Sequence, residues 1–507
     1  MQLNEILADA ESDALAILYD DSVFTYADME KLSNQFANLF QELRYEPGDR
    51  VSILLGNDPR TVAAIFGSFK SGVIANPLHD RLTSKEVGYI IDHAGSKLII
   101  TGEDFADTVN AAVSDLPDPP QILCFGDAGG LTCVSEESLE QQSVTAPQNH
   151  NFSNDDGAVL LYTSGTTGRP KGVLLSRGNL SCSAAIAVDR YGIKSSDRTL
   201  CVMPISHTNG LMFSTIPFLM AGASLALRPR FSASSFWDDC RKYEVNSTSV
   251  SPAILMILLD TYSNETLDGI NLDYVKVASA PTSVELAQRF EAQFGDGLLL
   301  ETYGLTETTA GNVGNPVEGP RKHGSIGTVI PFNLVKIVDE KGAEVPHGES
   351  GEMYIGGPSL MLGYFRDSEA TAAVIRDGYI MSGDIARMDE DGYVYIVGRK
   401  KELIIRGGEN ISPLEVDRVV ALHPAVGEAV TVGFPDQVMG EAVGTCVVRS
   451  ADVTESEIIE FCVTQMASFK VPQKIVFIDE VPRNLLGKIL RGDIVKYFQS
   501  DNEEVRA

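Results

Sequence analysis

Basic residues are scarce in this chain: 40 Lys and Arg stand against 70 Asp and Glu in 507 residues, a formal net charge of -30. Holding a nucleic-acid backbone or docking on an anionic bilayer requires basic surface, so the balance argues against both. An acidic surface serves solubility first. Cysteines are few and poorly spaced for chemistry. Cys124, Cys133, Cys182, Cys201, Cys240, Cys446 and Cys462 form no CxxC pair and no Cys/His cluster at zinc spacing. Buried reduced thiols and a cytoplasmic setting are therefore expected. No apolar run reaches the roughly 18 residues of a membrane span. The opening MQLNEILADAESDAL has no basic stretch ahead of an apolar one, so no secretory signal is expected, and the closing EEVRA is not a peroxisomal address.

A chain of this length exceeds one typical core and points to at least two domains. Up to about Gly351, short apolar strands alternate with amphipathic helices: Arg50–Leu55 reads as a strand, Arg60–Ser71 as a helix, Ser96–Ile100 as a strand. Between Gly102 and Asp155 there is neither Lys nor Arg, and the Pro117–Pro120 cluster marks a peripheral region with one strand, QILCF. Residues Gly351–Gly398 are rich in Gly and Tyr with alternating runs such as GYVYIVG, the pattern of β-hairpins. Beyond Arg399, a helix at Pro413–Leu422, strands around Ala429–Phe434 and Gly444–Arg449 and a helix from Glu455 suggest a small α+β domain. The expected fold class is α/β, with a large N-terminal domain of helix-covered sheets plus a β-rich subdomain at 1–399 and a small C-terminal α+β domain at 400–507.

The most informative segment is LLYTSGTTGRPKG at Leu160–Gly172. An apolar strand runs into Thr163, Ser164, Gly165, Thr166, Thr167 and Gly168, with Lys171 close behind. Small residues let backbone N–H groups and hydroxyls converge on one anion, and the lysine adds positive charge for phosphate oxygens. The GxxxxGK[ST] spacing of a Walker A loop is absent. On its own the loop also fits a flexible Ser/Thr/Gly turn.

Further motifs follow in order: ETYGLTET at Glu301–Thr308, SGD at Ser382–Asp384, GRKKELIIRGGENISP at Gly398–Pro413 and NLLGKILR at Asn484–Arg491. With the Gly/Thr loop, this ordered set resembles the signature of the adenylate-forming superfamily of acyl-CoA synthetases, peptide-synthetase adenylation domains and luciferases. The resemblance spans nearly the whole chain. It implies ATP-dependent activation of a carboxylic acid as an acyl-adenylate, with Mg2+, followed by acyl transfer to the thiol of coenzyme A.

The resemblance also implies roles. Thr163 to Gly168 and Lys171 would hold the β/γ-phosphates. Glu307 would serve the magnesium ion and Thr306 the α-phosphate. Glu301, Thr302, Tyr303 and Gly304 would line the nucleotide pocket, with Tyr303 stacked on adenine and Ser279, Ala280 and Pro281 opposite. Asp384 would accept hydrogen bonds from the ribose hydroxyls, with Arg399 reaching the same sugar. Lys488 would bridge the attacking carboxylate and the α-phosphate. The small domain would be mobile, swinging about Lys401 and bringing Gly407 and Gly408 to the pantetheine arm of coenzyme A.

For the acid, the matching residues are His207, Arg230, Phe231, Ser251 and Gly304. Amino-acid-activating relatives place an aspartate where this chain has Arg230-Phe231-Ser232, which argues against an α-amino acid. RFSASSFWDDCRKY and Pro320–Ser325 look more like small-acid or dicarboxylate (oxalate-type) CoA ligases, in which Arg230 would pair with a second carboxylate or stay a solvated loop arginine. The alternatives are a stand-alone enzyme loading a carrier protein and a non-catalytic adenylate-binding relative; the latter would have no need of Lys488. A homodimer is the default expectation.

Overall fold

The computed structural model describes residues 2–131, 133–147, 151–163, 170–262, 267–309, 311–483 and 488–499. Two sheets carry most of the chain before residue 310, and their strands in that part are mostly parallel. The first has seven strands, ordered Gly363–Tyr364, Lys171–Ser176, Gly157–Thr163, Ile74–Pro77, Arg50–Leu54, Leu98–Gly102 and Gln121–Phe125. From Gly157–Thr163 to Gln121–Phe125 the pairings are parallel. The helix after Arg50–Leu54 runs Pro59–Ser71, and Asp58 caps it by accepting the Arg60 N–H. This cap and a proline in the first turn are strong start signals, so the sequence reading of that helix was accurate to one residue. The base-free stretch holds more than one strand: helices at Ala106–Val113 and Glu136–Glu140 flank Gln121–Phe125. Ala106, Val109 and Ala112 pack with Val87, Ile90 and Ile99 beneath it.

The second sheet has fourteen strands. Its parallel part runs Leu299–Gly304, Tyr274–Val277, Ser247–Val250, Arg198–Cys201, Ser224–Leu227 and Leu15–Tyr19. Beyond Leu299–Gly304 the pairing turns antiparallel through Gly311–Gly314, Gly327–Val329, Tyr393–Arg399, Tyr379–Met388, Ser350–Gly356 and Leu334–Val338. This antiparallel wing includes the Gly/Tyr-rich region whose alternating pattern suggested hairpins, but it starts at Gly311, well before Gly351, where the strand–helix alternation was expected to end.

From Ile404 onward the chain builds its own five-stranded sheet, with helices Pro413–Ala421, Glu455–Gln465 and Arg491–Gln499. Its core of Ile404, Val416, Val443, Val447, Ile458 and Ile475 comes entirely from this segment. Among the described residues, no helix is long and apolar enough to cross a membrane.

Candidate active site

Parallel strands end on one edge, and in α/β sheets the crevice outside the carboxyl ends is where ligands bind. Here two such edges meet. Asn57, just past Arg50–Leu54, donates from Nδ2 to the carbonyls of Met203 and Arg228, both at 3.1 Å, and accepts the Ile205 N–H at 2.9 Å. One buried amide thus ties the first sheet's edge to two loops of the second. His79 follows Ile74–Pro77 and Thr163 closes Gly157–Thr163, while His207, Ser251 and Ser279 follow strands of the second sheet and Gly304 closes Leu299–Gly304.

The side where the nucleotide was expected is dense in charge. The hairpin of Tyr379–Met388 and Tyr393–Arg399 sets Asp384 directly across from Arg399. Arg399 Nε lies 2.8 Å from Asp384 Oδ1, and the Tyr303 hydroxyl donates to Asp384 Oδ2. The Asp384 N–H donates to Ser382 Oγ at 3.0 Å, whose hydroxyl donates to the Met353 carbonyl at 2.6 Å. Burial raises the Asp384 carboxyl above its ordinary value, opposed by Arg399, the Tyr303 hydrogen bond and Lys488. Burial, reinforced by Asp384, holds the Tyr303 phenol protonated. Lys488 arrives from the small C-terminal segment and feels Arg399, Glu402, Asp384 and Glu307 together. Desolvation and Arg399 lower its pKa and the three carboxylates oppose them. The side chain remains exposed to solvent on one side.

Glu307 and Thr306 lie in the short turn Thr306–Thr308 after Leu299–Gly304. The Tyr364 hydroxyl donates to Glu307 Oε1 at 2.7 Å, and Lys171 Nζ sits 4.8 Å from the centre of the Tyr364 ring. Tyr364 therefore links the lysine behind the Gly/Thr loop to the carboxylate; nothing in the sequence spacing marked it. Thr163 pairs with Lys171 across the strands that flank the loop. Ser164, Gly165, Thr166, Thr167 and Gly168 lie outside the described residues. Among the described residues no three His, Cys, Asp or Glu side chains form a metal cage. A single carboxylate such as Glu307 suits Mg2+, which prefers one or two carboxylates together with phosphate oxygens and water.

The side where the acid was expected is short of charge. Asn209 Nδ2 donates to Ser279 Oγ at 3.1 Å, and Asn209 Oδ1 accepts the Ser249 hydroxyl at 2.7 Å, joining three strand ends. Ser279 takes a φ of 76°, unusual for a residue with a Cβ, and with Ala280 and Pro281 it lies open at the mouth. His207 Nδ1 accepts the Asn209 N–H at 3.1 Å, so the ring proton sits on Nε2. Burial, with His79 nearby, brings the His207 pKa down to about 4 and keeps the ring neutral. Gly210 is required here because a Cβ would come within 2.3 Å of the Pro204 carbonyl oxygen. Ser251 is buried at the start of helix Pro252–Thr261.

Several expected residues are not part of this gathering. On Leu299–Gly304 the side chains alternate between faces, and Glu301 and Thr302, on opposite faces, are both buried. Thr302 Oγ1 pairs with the Tyr191 hydroxyl at 2.9 Å. Burial lifts the Glu301 pKa to about 8, against Arg418 of the C-terminal segment, and its Oε1 has no hydrogen-bond partner. Such an orphaned buried group costs about 1–3 kcal/mol. Arg230 is exposed, and Phe231 packs edge-on against Phe236 at 5.9 Å. Arg321 and Lys322 are spent on structure: Arg321 binds the carbonyls of Pro316 and Val317, and Lys322 bridges Asp389 and Asp391 at 2.7 Å each. Lys401 is exposed in the short turn after Arg399. Gly407 and Gly408, with φ of 61° and 89°, form the tight turn of hairpin Ile404–Ile411, where Gly407 N–H binds the Met439 carbonyl.

Comparison with known proteins agrees with this arrangement. Residues 5–365 match the AMP-binding enzyme family and residues 415–488 its AMP-binding enzyme C-terminal domain. The chain is 35% identical to an oxalate–CoA ligase of Arabidopsis thaliana over 94% of this chain and 93% of that one. It is 34% identical to a sulfoacetate–CoA ligase of Cupriavidus necator, over 89% and 88%. Its fold superposes on the ATP-bound crystal structure of MatB from Rhodopseudomonas palustris with a TM-score of 0.91, at 28% identity and 99% coverage of both chains.

Proposed function

The chain belongs to the AMP-binding enzyme family, and from that premise we propose which acid it activates and which residues act. It is an AMP-forming acid–thiol ligase: a carboxylic acid and ATP give an acyl-adenylate and pyrophosphate, and the acyl group then passes to coenzyme A. ATP, coenzyme A and Mg2+ are its reactants and metal.

The acid in this reading is small and carries a second anionic group. Support comes from the similarity to ligases named for oxalate and sulfoacetate, each a compact acid with two anionic groups. It also comes from the hydroxyl and imidazole donors at the strand ends that face the crevice. Arg230 is exposed to solvent and adds nothing to this support.

The observation that carries the residue roles is the convergence of Glu307, Asp384, Arg399 and Lys488 around one point. Asp384 accepts the ribose hydroxyls with Arg399 beside it, and Tyr303 flanks the adenine opposite Ser279, Ala280 and Pro281. Thr163 and Lys171 serve the β/γ-phosphates and Thr306 the α-phosphate. Glu307 holds Mg2+, which neutralises phosphate charge when bound. His207 orients the attacking carboxylate by donating from Nε2. Lys488 lies between carboxylate and α-phosphate, two anions that repel until a cation offsets them, so it acts on the transition state. Lys401 is the hinge that divides 1–399 from 400–507, and rotation about it brings the Gly407-Gly408 turn to the thiol arm.

The test incubates the pure protein with ATP, Mg2+, coenzyme A and a panel of oxalate, malonate, sulfoacetate, short and medium fatty acids, benzoates and amino acids. AMP and acyl products are followed by mass spectrometry. Acyl-CoA formed with matching AMP from a dianionic acid is the expected result. Preference for a fatty or aryl acid overturns the substrate reading, and an adenylate that never reaches coenzyme A points to a carrier-protein acceptor.

A further inference from the structure

Strand Tyr274–Val277 leads into Ser279, and it carries Lys276, a buried amine that the adenylation chemistry leaves unused. The residue is 1% exposed, and among the described residues no carboxylate pairs with it. Its Nζ donates to the Phe213 carbonyl at 2.9 Å and lies 4.3 Å from the centre of the Tyr191 ring. Phe213, Tyr274 and Phe218 complete an aromatic cage at 5.4, 5.6 and 5.9 Å. Burial alone brings the Lys276 pKa down to about 7, and either protonation state keeps an N–H for the carbonyl. An amine without a counter-ion is costly to bury, so the one hydrogen bond it makes is informative.

That bond goes to a π-helical turn, Asn209–Thr215, a rare form that recurs at functional sites. In an α-helix the Phe213 carbonyl would receive the N–H four residues on, but that residue is Pro217, which has none. Lys276 supplies a donor instead. At the start of the same turn, Asn209 Nδ2 donates to Ser279 Oγ, and the Asn209 N–H donates to His207 Nδ1. The turn is thus held at both ends by Lys276 and Ser279, three residues apart, with the His207 ring wired to its first residue.

We propose that Lys276 is a positioning residue for the acid: its amine fixes the far end of the π-helical turn and so sets where Asn209 and His207 stand at the crevice. The proposal rests on the reading of His207 as the residue that orients the attacking carboxylate. Lys276 itself touches no reactant. Its kinetic weight comes from geometry, because a misplacement of about 1 Å at a reacting group can cost about 100-fold in rate.

The experiment compares wild type, Lys276→Met and Lys276→Arg at saturating ATP and coenzyme A, with His207→Ala as control. Met fills the cage with an apolar chain and removes the donor, whereas Arg keeps one. With the preferred acid, Lys276→Met should lower kcat/KM about 10- to 100-fold. The KM for ATP should hold, urea unfolding should still report a cooperatively folded protein, and Lys276→Arg should recover part of the loss. If Lys276→Met does not fold, or disturbs the acid and ATP alike, Lys276 serves the core as a whole and the positioning role is overturned. An unchanged kcat/KM for the acid in Lys276→Met overturns it as well. If His207→Ala leaves kcat/KM for the acid unchanged, it is the reading of His207 that fails, and the proposal falls with it.

Discussion

On the nucleotide side of the crevice, two acids, an arginine, a lysine and a phenol meet within hydrogen-bonding or electrostatic reach of one another. On the acid side, the strand ends carry hydroxyls, an amide and two imidazoles, with His207 neutral. ATP is the same in every reaction of this type, so its charges can be met by fixed opposing charges. The acid differs from enzyme to enzyme, and neutral donors tied down by the backbone can be exchanged without leaving a buried charge unpaired.

The largest effect should come from breaking the charged side at its most exposed member. Lys488→Ala should slow adenylate formation, read by pyrophosphate exchange, about 100-fold or more, the usual scale for losing one charge-stabilising group. Supplied with a ready-made acyl-adenylate, the same variant should still form much of the thioester. Equal loss in both halves would mean that Lys488 holds the fold together rather than stabilising charge.

Asp384→Asn should come next. It leaves Arg399 and Tyr303 without their shared carboxylate, and KM for ATP should rise about tenfold while the KM for the acid moves little. A parallel rise in both would erase the division into two sides.

The smallest effect tests where the two regions of the chain touch. Burial holds the Glu301 carboxyl at about 8 against an ordinary 4.5, so between those values the folded chain keeps a proton that the unfolded chain releases. Stability must therefore fall as pH rises from about 4.5 to 8. Glu301→Gln removes that slope and should gain on wild type by on the order of 2 kcal/mol at pH 8, read by urea unfolding, with little difference near pH 4.5. If wild type shows no such decline, Arg418 of the C-terminal segment ionises Glu301, and the contact between regions is stronger than the burial suggests.

Much of this charged cluster was legible because its residues fall in compact motifs: Tyr303 and Glu307 in one octet, Asp384 in a tripeptide, Arg399 two residues before Lys401. Glu301 and Thr302 share that octet but are buried and face Arg418 and Tyr191 rather than the charged cluster, partners set by tertiary packing. Tyr364 and Asn57 carried no signal at all. Each acts by reaching a partner far along the chain: Tyr364 meets Glu307 57 residues away, and Asn57 meets Arg228 171 residues away. The acid side showed the same limit. Arg230 drew attention as a charge beside a phenylalanine, yet in the fold it is exposed.

The order of the motifs along the chain determined by itself the family, the α/β class and the adenylation chemistry, because phosphate binding, ribose binding and charge neutralisation each need particular side chains at short spacing. Which strand ends face one another was decided by tertiary structure alone. Sheet order places residues 57, 79, 207, 251 and 279 on converging edges, and no local pattern encodes an order that arises from packing one sheet's carboxyl edge against another's.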